Sequence, residues 1–135
     1  MHPYERWITI RYLANGLRSK HVGRSRNPSE DILNWIAAHA RPLGLAPLKW
    51  RWGSNDSGRT RANKADWTKW KAAVLAMAQA PEPPVSALQK RIDWLGDSCE
   101  LTAAQRFLLG LFARITRSRL VCDLLAALNR GLGYD

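Results

Sequence analysis

The sequence predicts an all-α protein of about six helices in a compact bundle, interrupted by one extended, tryptophan-rich connector. Apolar residues recur at intervals of three and four over most of the 135-residue chain, the spacing that places them on one face of a helix. Only residues 48–52 alternate with the two-residue period of a strand, and no partner strand accompanies them. A chain of this length suits one domain, so we expect a single helical domain over residues 1–135.

Three amphipathic helices are predicted before residue 80. The first covers residues 4–19. Asn-Pro-Ser-Glu at residues 27–30 predicts the start of the second, because it supplies an N-cap, a proline at the first helical position and an acidic third residue. This helix should end near residue 40, before Pro42 and Gly44. The third covers residues 63–79, and its apolar stripe is formed by Trp67, Trp70, Val74 and Met77.

Pro-Glu-Pro-Pro at residues 81–84 interrupts the helical pattern, because successive prolines cannot continue a helix. We expect a hinge there between subdomains 1–80 and 85–135. The fourth helix should end at Gly96, placed as a C-terminal stop, and the fifth should begin after Thr102 as its N-cap. The sixth should cover residues 118–129. We expect the fourth helix to bury Val85, Leu88, Ile92 and Leu95. The fifth should bury Phe107, Leu108, Leu111, Phe112 and Ile115.

Positive charge is concentrated in the first half of the chain. Residues 1–71 contain fourteen Lys and Arg against five Asp and Glu, which is nine of the ten net charges, while the remaining residues contain seven against six. Such a surface attracts acidic partners. The tryptophans interspersed with these charges, counted up to residue 67, are Trp7, Trp35, Trp50, Trp52 and Trp67.

Compartment is indicated by two absences in the sequence. Arginines and a lysine interrupt the apolar positions of the first twenty residues, so no signal-peptide core is formed, and no run of about 18 apolar residues could span a membrane. Cys99 and Cys122 form no Cys-x-x-Cys pair and are expected to be reduced thiols. We therefore expect a cytoplasmic protein without membrane contact.

One short segment combines cations and aromatic rings. Phosphates are contacted by cationic side chains and single-stranded bases by flat rings, so the segment is a candidate surface for nucleic acid or an acidic partner. The alternative is that its tryptophans pack as core or interface anchors. The candidate residues are Lys49, Trp50, Arg51, Trp52, Arg59, Arg61 and Lys64.

No catalytic, metal-binding or cofactor-binding motif is complete. Gly-x-x-x-x-Gly-Arg-Thr at residues 53–60 resembles a phosphate-binding loop but has Arg59 where lysine is required, so a polar turn is the preferred interpretation. His2, His21 and His39 share no metal-ligand spacing with each other or with the cysteines. We expect no enzyme activity, no cofactor and no metal.

The last third of the chain resembles the helical region that precedes the ATPase module in a group of bacterial AAA-family ATPases. The resemblance is carried by residues 88–95 (LQKRIDWL), 100–105 (ELTAAQ) and 108–114 (LLGLFAR). It implies a non-catalytic accessory module that engages a protein partner or substrate for an ATPase, whose Walker sequences would follow this region. A nucleic-acid-binding domain that uses the basic, tryptophan-rich first half is the alternative.

Overall fold

The computed structural model describes residues 1–18, 30–45 and 64–131, and every regular element in these ranges is an α-helix. The absence of strands from the described ranges confirms the all-α class. None of these helices is long and apolar enough to cross a bilayer. In chain order they are α1 (Pro3–Arg18), α2 (Glu30–His39), α3 (Lys64–Ala78), α4 (Ala87–Ser98), α5 (Ala103–Arg117) and α6 (Arg119–Gly131).

The hydrophobic core lies between α1, α2, α3 and α6. Helix α2 packs on α6, and α1 packs on both α3 and α6. The indole Nε1 of Trp35 donates a hydrogen bond of 3.2 Å to the carbonyl oxygen of Leu120, which joins α2 to the start of α6. The core residues with no exposed surface are Leu13, Leu17, Ile36, Leu43 and Val74.

Gly16 allows α1 and α6 to approach closely. A Cβ atom at this position would lie 2.7 Å from Cδ2 of Leu128, which is closer than two carbon atoms can approach without strain. The absence of a side chain at Gly16 therefore makes room for the side chain of Leu128.

Residues 81–86 contain no helix, as the prolines predict. The segment is held against α1 at both of its ends. Trp7 Nε1 donates to the carbonyl oxygen of Ala80 at 3.0 Å, and Ser86 Oγ donates to Glu5 Oε1. The core cluster also contains residues from both sides of this segment, among them Val74 and Leu124. Hinge motion at residues 81–84 stays a prediction.

Gly96 does not end α4, so this prediction was wrong. The helix continues to Ser98, and the residue with positive φ is Glu100, at 51°. Gly96 is instead buried against α5, where a Cβ atom would lie 3.0 Å from Nη1 and 3.1 Å from Cγ of Arg106. Its small size is therefore used for helix packing and not for termination.

Candidate interaction surface

The segment predicted from its cations and tryptophans is mostly outside the described residues. Lys49, Trp50, Arg51, Trp52, Arg59 and Arg61 lie there, together with the extended connector at residues 48–52. Lys64 is the first residue of α3. The site therefore stays a prediction, and the described surfaces are considered next.

Most arginines and lysines that the structure describes in the first half are exposed. No ion pair with a carboxylate involves any cationic side chain described in residues 1–71. The one described carboxylate of this region that forms an ion pair is Glu5, and it pairs with Arg114 from the second half. Among the cations of this region that the structure describes, the charge is therefore not neutralised by an ion pair with a carboxylate. The exposed residues in this group are Arg6, Arg11, Arg18, Arg41 and Lys69.

The described tryptophans of the first half do not offer open rings. Trp35, Trp67 and Trp70 are buried in the core, and Trp67 stacks on Trp70 with ring centroids 5.5 Å apart. Trp7 is half-buried, and the guanidinium carbon of Arg11 lies 4.6 Å from the centre of its ring. For these four residues, packing is the function that the structure shows.

A different surface is formed by α5, whose start is fixed by a capping box. Thr102 Oγ1 accepts a hydrogen bond from the backbone nitrogen of Gln105 at 3.3 Å, and Gln105 Oε1 accepts one from the backbone nitrogen of Thr102 at 2.8 Å. This reciprocal pairing satisfies two backbone donors that the first turn leaves free. The predicted N-cap is confirmed.

The apolar residues of α5 are not all buried, contrary to the prediction. Phe107 is 54% exposed, Leu108 48% and Phe112 62%, whereas Leu111 and Ile115 are partly buried against the core. Residues three and four apart on a helix are neighbours on its surface, as Phe107 and Leu111, Leu108 and Leu111, and Leu108 and Phe112 are. Phe107, Leu108, Leu111 and Phe112 therefore form one continuous face, called here the α5 face.

The four residues of the α5 face carry no charge, although Arg106 and Arg114 line a second pocket beside Phe107. Arg106 Nη1 donates to Asp97 Oδ1 at 2.6 Å and its Nε donates to the carbonyl oxygen of Leu101 at 2.9 Å. Arg114 is buried and bonds to Glu5. The charges of these two arginines are thus paired with Asp97 and Glu5, and the α5 face is apolar, although Gln105, Thr116 and Arg117 are also exposed on this helix.

A groove of about 440 Å³ adjoins the α5 face. Leu125 and Leu128 of α6 and Gly16 of α1 form walls opposite Phe107 and Leu111, and Tyr12 meets Phe107 edge-to-face with centroids 6.0 Å apart. The full lining is Tyr12, Asn15, Gly16, Phe107, Leu111, Leu125, Leu128 and Asn129.

No lining residue is charged at neutral pH. Burial raises the pKa of Tyr12 above its ordinary value of 10.0, although the nearby Arg114 opposes this shift, so the phenol stays protonated. The lining also contains no nucleophilic thiol, because Cys99 and Cys122 are exposed elsewhere as free cysteines. The groove is suited to binding apolar side chains and not to acid-base or nucleophilic chemistry.

A buried polar network fixes the position of α5. Arg114 Nε donates to Glu5 Oε2 at 2.8 Å, and Arg114 Nη2 donates to Gln89 Oε1 at 2.7 Å and to Glu5 Oε1 at 3.3 Å. Its Nη1 donates to the carbonyl oxygen of Gly110 at 3.1 Å. Ser86 donates to the same Glu5 carboxylate. The network therefore joins α1, α4 and α5, and all three guanidinium nitrogens of Arg114 are bonded.

Burial also changes the titration of Tyr4, which lies beside this network. The guanidinium carbon of Arg114 is 5.8 Å from the centre of the Tyr4 ring. Desolvation raises the pKa of Tyr4 above 10.0, and the negative charge of Glu82 acts in the same direction.

Among the described residues, no group of three or more His, Cys, Asp or Glu is placed to bind a metal ion.

Sequence reasoning missed the α5 face as a surface, although one signal pointed to it. Viewed down the helix at 100° per residue, the apolar positions 107, 108, 111, 112 and 115 cover an arc of about 140°. An apolar arc of that width can be wider than the part of a helix that one neighbouring surface covers.

Comparisons of the chain with family models, curated proteins and solved structures found no match.

Proposed function

We propose that this chain is a non-catalytic interaction module that engages a protein partner through the α5 face. The observation that supports the proposal is the exposure of Phe107, Leu108 and Phe112 side by side on an uncharged face. A charged helix surface would be expected on a helix that only faces solvent. The resemblance to the region before a bacterial AAA-family ATPase module suggests the kind of protein to which the module belongs.

The size of the α5 face supports a binding role. An aromatic side chain has a surface of about 150–250 Å², so the exposed fractions of Phe107 and Phe112 leave roughly 200–300 Å² of aromatic surface in water. Leu108 and the groove walls enlarge this area into the range of about 300–600 Å², where the largest patches on monomeric proteins are often functional.

The proposal includes the arrangement of the whole chain. The helices, about six in number, would form one compact bundle in the cytoplasm, with α5 on its outside. The hydrogen-bond network around Arg114 supports the position of α5 in this arrangement. It holds α5 on α1 and α4, so that the α5 face is presented from a rigid support.

A photocrosslinking experiment tests the proposal. A photoreactive phenylalanine analogue replaces Phe112, and in the control protein it replaces Lys90, an exposed polar position on α4. After irradiation in bacterial cells, the variant at 112 should yield a defined protein adduct, identified by mass spectrometry, that the variant at 90 does not yield. The accessory-module reading predicts an ATPase in that adduct. Equal yields of unspecific adducts from both positions would contradict the proposed function.

Nucleic-acid binding is the second candidate function, and it is favoured by the exposed cations described in residues 1–71, which form no ion pair with a carboxylate. Fluorescence anisotropy with labelled single- and double-stranded DNA should then show affinity that falls linearly in log salt. Serine at Lys49, Arg51, Arg59 and Arg61 should abolish binding. The control variant has serine in place of Lys90, Arg91, Arg117 and Arg119. It loses the same number of positive charges, but from the nearly neutral residues 72–135. Equal weakening by both sets would show only a net-charge effect, and no binding at low salt would eliminate this candidate.

A further inference from the structure

The groove beside the α5 face is formed by three helices whose charges are strongly unbalanced. Helices α1, α5 and α6 contain eight arginines, no lysine and two carboxylates, Glu5 and Asp123. Both carboxylates are already in ion pairs, Glu5 with Arg114 and Asp123 with Arg119. A molecule that approaches the groove therefore meets an excess of positive charge. On these three helices its own cations would find no carboxylate that is not already paired.

Two of the arginines border the groove. Along α1, the exposed residues Arg11, Asn15 and Arg18 are four and three positions apart, so they form one stripe on the helix surface. Asn15 also lines the groove. A rotation of about 100° per residue places the two arginines about 40° and 60° further round α1 than Asn15, on the side away from Tyr12. They therefore lie at the edge of the groove and not in its lining. Arg11 lies over the ring of Trp7, a contact that leaves its charge in place.

We propose that the α5 face and its groove bind an acidic amphipathic helix of a partner protein, a proposal that rests on the proposed function and names the chemistry of the partner. Apolar side chains of that helix, spaced at i, i+3, i+4 and i+7, enter the groove and cover Phe107 and Phe112. Aspartate or glutamate residues on the flank of the helix lie opposite Arg11 and Arg18.

The shape of the site favours a helix as the ligand. The groove is walled by α1, α5 and α6, whose backbone groups are bonded within each helix, so an extended peptide finds no strand edge to pair with. With a volume of about 440 Å³, the groove is too small for several turns of a helix about 10–12 Å across. It takes the anchoring side chains, while the backbone of the bound helix stays above it, level with the edge where Arg11 and Arg18 lie.

Charge should contribute to this complex because the apolar area is small. A patch of about 300–600 Å² is smaller than the roughly 800 Å² that each partner contributes to a stable interface. We therefore expect a transient complex with a micromolar Kd. Its affinity should fall as salt screens the contacts at the edge of the groove.

A peptide selection on the full-length chain tests the charge of the ligand. The probe is a displayed library of helical peptides of about 15 residues, with apolar residues at i, i+3, i+4 and i+7 and with Glu, Lys, Gln or Ala in equal proportions elsewhere. Selected peptides should be enriched in Glu over Lys. Phe107→Glu and Phe112→Glu should each weaken their binding by roughly tenfold or more. Trp94→Glu is the matched control and should keep the binding, because Trp94 is 69% exposed on α4, outside the site.

A charge swap tests whether Arg11 and Arg18 receive the acidic residues. In fluorescence anisotropy with a labelled selected peptide, Arg11→Glu with Arg18→Glu should raise the Kd roughly tenfold. A version of the peptide with Lys in place of Glu should bind this variant more tightly than it binds the original chain. The control is Arg41→Glu with Lys69→Glu, which changes the net charge equally at two exposed positions outside the groove lining and should raise the Kd by less than about threefold.

Circular dichroism verifies that each variant is folded, and Arg11→Gln with Arg18→Gln replaces the double reversal if that variant is not. Three results would overturn the acidic helix: a selection that yields no binder or no excess of Glu over Lys, equal weakening by the two charge reversals, or peptide binding that both phenylalanine variants leave unchanged. Labelled single-stranded DNA whose binding needs Arg11 and Arg18 but not Phe107 would also overturn it and assign these arginines to nucleic acid.

The two proposals fail separately. A chain that fails the peptide tests but still forms a defined protein adduct at position 112 would lose the acidic helix and keep the interaction module. A chain that fails the peptide tests and forms no such adduct would lose both.

Discussion

Replacing Glu5 by glutamine is expected to destabilise the fold by about 3 kcal/mol. The change keeps the size of the side chain but removes its negative charge and directs an amide nitrogen towards the donors of Arg114. The Arg114 side chain is 3% exposed, so its charge would be left buried without a counterion. Removing one partner of a buried ion pair costs about 3–5 kcal/mol. The low end applies because the Glu5 side chain is 21% exposed, which allows water to solvate part of the site.

This loss would be large compared with the free energy of unfolding of a typical domain, about 5–15 kcal/mol. Urea unfolding followed by circular dichroism measures it as a lower midpoint at unchanged slope. The matched control is Asp97→Asn, the same chemical change in the ion pair between Asp97 and Arg106. Because that pair is exposed, with Asp97 at 73%, its loss should cost at most about 1 kcal/mol.

A double-mutant cycle with Arg114→Met separates the interaction from the effects of each residue. If Glu5→Gln lowers stability because it leaves the charge of Arg114 without a counterion, removing that charge as well should recover part of the loss. The double variant should then be more stable than the sum of the two single losses predicts, by roughly 1–3 kcal/mol. Additive losses, or a cost of Glu5→Gln no greater than that of Asp97→Asn, would refute the reasoning that this buried pair holds α5 on α1.

Three further predictions concern α4, α5 and the tyrosines. Thr102→Ala removes the cap of α5 and should lower stability by about 1 kcal/mol in urea unfolding; an unchanged midpoint would contradict this. Ile92→Ala should cost about 2–4 kcal/mol, because Ile92 is 5% exposed, whereas Trp94→Ala should change stability by less than about 0.5 kcal/mol. The raised pKa values of Tyr4 and Tyr12 mean that the unfolded chain ionises first as pH rises above 10.0. Stability contributed by these phenols is therefore complete below pH 10.0 and is lost above it, so replacing both by Phe should flatten the alkaline decline measured by unfolding at increasing pH; an equally steep decline would oppose this assignment.

The helices could largely be predicted because their signals are local. The apolar spacing in α1, the prolines after α3 and the Thr102 cap each act within a few residues, so they predict where a helix begins or ends in any fold. Gly96 shows the limit of such signals. A glycine near a helix end commonly terminates it, but here the helix continues, because the missing side chain makes room for Arg106 of the next helix.

The candidate surface could not be predicted in the same way. Periodicity indicates that Phe107, Leu108 and Phe112 share a face with Leu111, but it does not indicate how much of that face other helices cover. The core covers Leu111 and leaves Phe112 exposed. Glu5 and Arg114 likewise give no sign of each other in the sequence, because 109 residues separate them.

By itself, the sequence of this protein determined the helical class, the interruption at residues 81–84 and the concentration of positive charge in residues 1–71. These features depend on the residue types and their spacing along the chain, so they do not require knowledge of the packing. The tertiary structure decided which apolar residues are buried, where the charge of Arg114 is neutralised and that α5 presents an uncharged face beside a groove. These features depend on which distant segments meet, and that is set by the packing of all the helices together and not by any one of them.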